Sequence, residues 1–74
     1  RDFTEKIVKE LNSEFSIHDF RMTDGGKRVN LIFDLVVPRD KEYDKEEIIK
    51  NVQQKIHEKD KKYFAVIKVE TSYI

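Results

Sequence analysis

Val29, Leu31, Phe33, Leu35 and Val37 occupy alternate positions of one nine-residue run, and Ile32 and Val36 flank Asp34 on the positions between. Period-two alternation predicts a β-strand, and apolar residues on both of its faces predict a strand covered on both sides. Pro38 ends it. Ile17–Met22 reads as a preceding strand, and Asp24-Gly25-Gly26-Lys27 as the turn of a hairpin, since glycine accepts the positive φ such turns need. Phe3, Ile7, Val8 and Leu11 recur at helical spacing and predict a helix over 3–14, with Phe15 closing its stripe and Asp2 and Glu5 resembling a capping box. A second helix follows Asp44, a predicted N-cap with Glu47 at N3 and Tyr43 stapling Ile48. It buries Ile48, Ile49, Val52 and Ile56 and ends among Lys55, Lys59, Lys61 and Lys62, where the helix dipole favours positive charge. In Tyr63–Thr71, Tyr63, Ala65, Ile67 and Val69 alternate with Phe64, Val66, Lys68 and Glu70, predicting a third strand.

The predicted order is αββαβ. The stretch between the second and third strands is long enough for a right-handed crossover, which makes them parallel. Two helices on one face of a three-stranded mixed sheet give an α+β, two-layer ferredoxin-like sandwich. Its other face presents Ile32, Val36, Phe64 and Val66 among charged residues, and an open face of that apolar character marks an interaction site.

Composition narrows the function classes. At 74 residues the chain is one domain, 1–74. With no cysteine it has neither disulfides nor thiolate metal ligands. Fifteen basic and fifteen acidic residues cancel, so no global field draws nucleic acid or an anionic surface. No apolar run approaches the roughly 20 residues of a membrane-spanning helix. The chain opens at Arg1 straight into a helical pattern, and we read it as a soluble fragment of a longer protein.

The topology brings His18, Asp34 and Glu70 toward one end of the sheet. Asp34, Lys68 and Glu70 share the open-face parity, whereas His18 has the parity of Phe20 and Met22, so the helix-to-strand loop is expected to reorient it. Imidazole with two carboxylates can hold a divalent ion. Lys68 beside them supports the other reading, salt bridges to Asp34 or Glu70. His18 also reads as a structural or capping histidine and His57 as a surface one, while Asp19 and Arg21 read as open-face residues paired with neighbours.

Ile17-His18-Asp19-Phe20, a glycine turn, a strand ending Val37-Pro38, an acidic-started helix and the closing Val66-Ile67-Lys68-Val69-Glu70 strand together resemble the cytoplasmic C-terminal domain of cation diffusion facilitator metal transporters. The resemblance spans about residues 3–71. It implies a metallochaperone-like αββαβ module that follows a membrane domain, dimerises, and binds zinc or related ions that regulate efflux. His18 matches the histidine of the family's His-Asp motif. Asp34 falls where many members carry a second histidine, and Lys68 and Glu70 where members often carry His-x-Asp. Carboxylate in place of imidazole implies oxygen-rich ligation at His18, Asp34 and Glu70, compatible with manganese or iron(II) as well as zinc. A domain that serves only for dimerisation is the alternative implication.

Competing functions lack their residues. No Ser/His/Asp or Cys/His set and no phosphate-cradling glycine motif is present, so the chain is expected not to be an enzyme. An RNA-binding ferredoxin-like module would need more stacking aromatics than Phe64 on the open face, and no nucleic-acid partner is expected. A stand-alone copper carrier would need the missing cysteines. The expected protein is therefore the cytoplasmic regulatory and dimerisation domain of a divalent-cation efflux transporter. Its partners are a second copy, met through Ile32, Val36, Phe64 and Val66, and the membrane domain of its own polypeptide.

Overall fold

The computed structural model describes residues 2–72. Its elements are α1 (Asp2–Leu11), β1 (Ser16–Asp24), β2 (Val29–Val37), α2 (Lys45–Lys59) and β3 (Tyr63–Thr71). The sheet order is β1-β2-β3, with β1 antiparallel and β3 parallel to β2. This is the ferredoxin-like αββαβ arrangement expected from the pattern. The order follows from chain economy: the hairpin sets β1 beside β2, and the α2 crossover returns β3 to the other side of β2.

β2 is buried at every odd position and half-buried at every even one. Leu31, Phe33 and Leu35 are essentially sealed from solvent and meet Val8, Val52 and Ile56 of the helices in a single core. The register continues that face outward. Leu31 pairs with Ala65, Phe33 with Ile67 and Leu35 with Val69. The even face pairs Asn30 with Phe64, Ile32 with Val66, Asp34 with Lys68 and Val36 with Glu70.

α1 stops at Leu11, three residues short of the expected end. Asn12 is the cause. Its Oδ1 accepts the Glu14 N–H at 2.9 Å and its carbonyl accepts the Phe15 N–H at 3.0 Å, a local turn that competes with helix continuation. Asp2 is already helical, and the capping exchange expected of it with Glu5 rests on a side chain outside the described residues. Asp44 is the N-cap of α2 as expected, accepting the Glu47 N–H at 3.1 Å. The hairpin loop is shifted by one residue, with Gly25 N–H donating to Arg28 O at 2.9 Å and Asp24 Oδ1 accepting the Gly26 N–H at 2.8 Å. Gly26 has φ +89°, the left-handed region where a side chain is strained.

β3 is an edge strand, and α2 reaches round to it. Gln53 Nε2 donates to the Ala65 carbonyl at 3.0 Å, and His57 Nδ1 lies 3.2 Å from the Tyr63 carbonyl. The two side chains stand one helical turn apart and meet the outward-facing carbonyls of alternate strand residues.

Tyr43 packs edge-on against Phe15 with ring centroids 5.2 Å apart. Its hydroxyl is buried and finds no hydrogen-bond partner among the described residues. A buried hydroxyl without a partner is a cost rather than a gain. Tyr43→Phe is therefore expected to leave stability unchanged or raise it by up to about 1 kcal/mol in urea denaturation. A loss above that size would mean that the hydroxyl is bonded in solution.

Candidate functional site

The open face is built on β2. Within Val29–Val37 only Asp34 carries charge, between the half-buried Ile32 and Val36. A carboxylate is a poor strand former. The Asp34 side chain makes no hydrogen bond or ion pair with another described residue, so local structure does not account for its charge.

His18 stands directly across from Asp34 in the β1–β2 ladder. The helix-to-strand loop does not turn it there, contrary to expectation. The register instead slips between His18 and Arg21, placing both Asp19 and Phe20 opposite Phe33. Phe20 stacks on Phe33, with centroids 6.1 Å apart, so it belongs to the core side. Asp19 is the additional residue, held at φ +54°. This β-bulge reverses the side-chain parity of everything before it. Ile17 thereby joins the core opposite Leu35, and Ser16 and His18 join the open face. The Ser16 hydroxyl lies 3.4 Å from His18 Nε2.

Asp19 does not act as an ordinary open-face strand residue, as its parity had suggested. It supplies the bulge and lines the same groove as His18, Asp34, Lys68 and Glu70, a shallow depression of about 720 Å³. The structure thus brings the three expected residues to one place. It does not bring them into ligand contact. Lys68, opposite Asp34, pairs along its own strand with Glu70, Nζ to Oε2 3.7 Å. Of the two salt bridges weighed from sequence, the Glu70 one forms. It is largely solvent-exposed, where such pairs contribute little. Among the described residues no three His, Cys, Asp or Glu side chains stand close enough to hold a metal ion.

The apolar part of the face is a cluster of Ile32, Phe64 and Val66, with Val36 set apart from it by Asp34 and Lys68. Ile32 and Val66 are paired neighbours, Val66 is 52% exposed, and Phe64 and Val36 are half-buried to either side. Phe64 is partly occupied by its own chain: the Arg28 guanidinium carbon lies 4.0 Å from its ring centroid and the His57 ring 5.2 Å away. His57 is exposed as expected, yet it is bonded to β3 and packed on Phe64. Its helical position alone carried no signal of that, because the partner strand is far along the chain.

No family model matches the chain, and no curated protein matches its sequence. A solved structure does. The chain superimposes on CzrB, described as a candidate zinc transporter, with a TM-score of 0.74 and 22% identity, over 96% of this chain and 94% of that one. The two share a fold across nearly their full lengths. No helix among the described residues is long and apolar enough to cross a membrane.

The bulge yields a direct test. A β-branched residue is badly accommodated in the left-handed region, and glycine is free there. Asp19→Val should lower stability by about 1–2 kcal/mol, while Asp19→Gly should match or slightly exceed the parent. Equal urea midpoints for the two variants would show that the left-handed conformation at Asp19 is not maintained.

Proposed function

We propose that this chain is the cytoplasmic regulatory and dimerisation domain of a divalent-cation efflux transporter. The observation that carries the reading is an open sheet face combining an exposed apolar centre with a His18–Asp34–Glu70 end, on the fold of a described zinc transporter structure. In this reading Ile32, Val36, Phe64 and Val66 of two copies meet across the face. Carboxylates of both copies then approach one another, and their repulsion opposes contact. A divalent ion, zinc, manganese or iron(II), shared between the copies offsets that repulsion.

A single chain offers two or three candidate ligands and a competing cation, Lys68. The second copy supplies the rest of the coordination shell. Ion binding is then linked to pairing, because a ligand favours whichever state binds it better. Closing the pair would bias the membrane domains attached to each copy, which carry out the transport step. No catalysis is assigned to the domain. Dimerisation without any ion is the second reading, and the Lys68–Glu70 pair favours it, since it already neutralises one proposed ligand.

Two measurements separate these readings. Val36→Asp should raise the dimer dissociation constant roughly tenfold or more, because contact would bury an unpaired charge; an unchanged constant in sedimentation equilibrium would remove this face from the contact. In calorimetry with zinc or manganese, His18→Ala and Glu70→Ala should each weaken binding, whereas Lys68→Gln should strengthen it by freeing Glu70. No ion heat in the parent, with dimerisation intact, would leave the ion-free reading.

A further inference from the structure

Toward the start of β3 lies a second groove, away from the His18–Asp34–Glu70 end and bordering the pairing face at Phe64 and Val66. It has a volume of about 680 Å³ and is lined by Arg28, Lys50, Gln53, His57, Phe64 and Val66, with no carboxylate in its wall. Arg28 is fixed by its 4.0 Å stacking on Phe64 and by its Nε donating to Asn30 Oδ1 at 3.2 Å. Its terminal N–H groups have no partner among the described residues. The Tyr63 carbonyl can only accept, so the Nδ1 of His57 bonded to it carries the proton, and this bond holds the ring against Phe64.

The surroundings extend the positive character. Lys61 and Lys62 are exposed beside the groove, Lys62 over the Tyr63 ring at 5.6 Å, and Lys27 adjoins Arg28 in the hairpin loop. Three acids stand nearby and are bonded: Asp24 and Asp60 accept backbone N–H groups, from Gly26 and Lys62 respectively, and Glu58 accepts from Gln54 Nε2 at 3.3 Å, against the five cations Lys27, Arg28, Lys50, Lys61 and Lys62. Glu70 stands seven residues beyond Tyr63, roughly 23 Å along β3, and four beyond Val66, roughly 13 Å. Both distances exceed one Debye length of about 10 Å at 0.1 M salt, so Glu70 offsets the basic end only weakly. A chain of zero net charge thus has a locally cationic end with an apolar floor.

We propose that this end of the domain docks on the phosphate headgroups of an anionic lipid surface. Charge complementarity selects an anion: Arg28, Lys27, Lys61 and Lys62 at the rim meet the headgroup phosphates, while Phe64 and Val66 stay with the pairing face. The choice of a bilayer rests on the transporter reading above. α1 begins at this same end, where Phe3 packs on Tyr63 with centroids 5.2 Å apart, so a membrane domain preceding α1 sets this end toward the lipid. Docking would hold each domain upright beneath the membrane, leaving its open face presented sideways to the second copy.

The test uses the pure chain with vesicles of phosphatidylglycerol and phosphatidylcholine, against phosphatidylcholine alone, in 0.1 M salt. The chain should cosediment with the anionic vesicles only, with amide shifts centred on Arg28, His57, Phe64 and Lys62, and should be released by 0.5 M salt. Lys61→Gln with Lys62→Gln, an exposed pair whose loss leaves the core untouched, should reduce partitioning roughly fivefold per charge. Arg28→Gln should reduce it further, and Lys45→Gln in the acidic groove should not reduce it. Equal binding to both vesicle types, no binding to either, or parent-like partitioning of the double variant would overturn the proposal. The same shifts with inorganic phosphate alone would also overturn it, as a small-anion site. Ion binding and self-association are measured without lipid, so their failure is read separately from this one.

Discussion

Alternation along β2 is the constraint on which the rest depends. Its odd positions form the floor on which both helices rest, and its hydrogen bonds reach a neighbour on each side. A domain of this size has an expected stability of only about 4–11 kcal/mol, and emptying one sealed position such as Leu31 or Phe33 would remove about 2–5 kcal/mol of it. The even positions therefore have little freedom to change register. Whatever they present to solvent is presented in fixed order: asparagine, isoleucine, aspartate, valine.

Asp19 shows how a functional arrangement enters such a rigid frame. A uniform strand cannot place both Ile17 and Phe20 in the core, because they lie three positions apart and the side-chain period is two. One additional residue resolves the conflict and sends His18 to the opposite face, beside Asp34. The local strain of a non-glycine left-handed residue is thus tied to the His18 imidazole on the open face. Strain retained at one position and coupled to a polar convergence is a pattern associated with functional sites.

The sequence made the element order, the β2 and β3 faces and the α2 cap legible, since each rests on a short-range rule: period two, helical spacing, and an acidic residue before a helix. It also carried the convergence of His18, Asp34 and Glu70, which follows from strand direction alone. The means of His18's reorientation was hidden, because a bulge is decided by which partner residue two side chains share across the hairpin. The early end of α1 was visible in principle in Asn12, whose side chain favours turns over helix interiors. The stacking of Arg28 and His57 on Phe64 depends on contacts among three separate elements, and no local pattern encodes it.

The reach of Gln53 and His57 to the border of β3 has a wider consequence. Small sheet proteins most readily polymerise by adding one chain's strand to another's unpaired rim, where carbonyls and amides stand ready for any passing backbone. Here two side chains already fill the acceptors at the start of that rim. The domain can therefore keep a greasy surface bare in water while discouraging fibre-like growth along that rim.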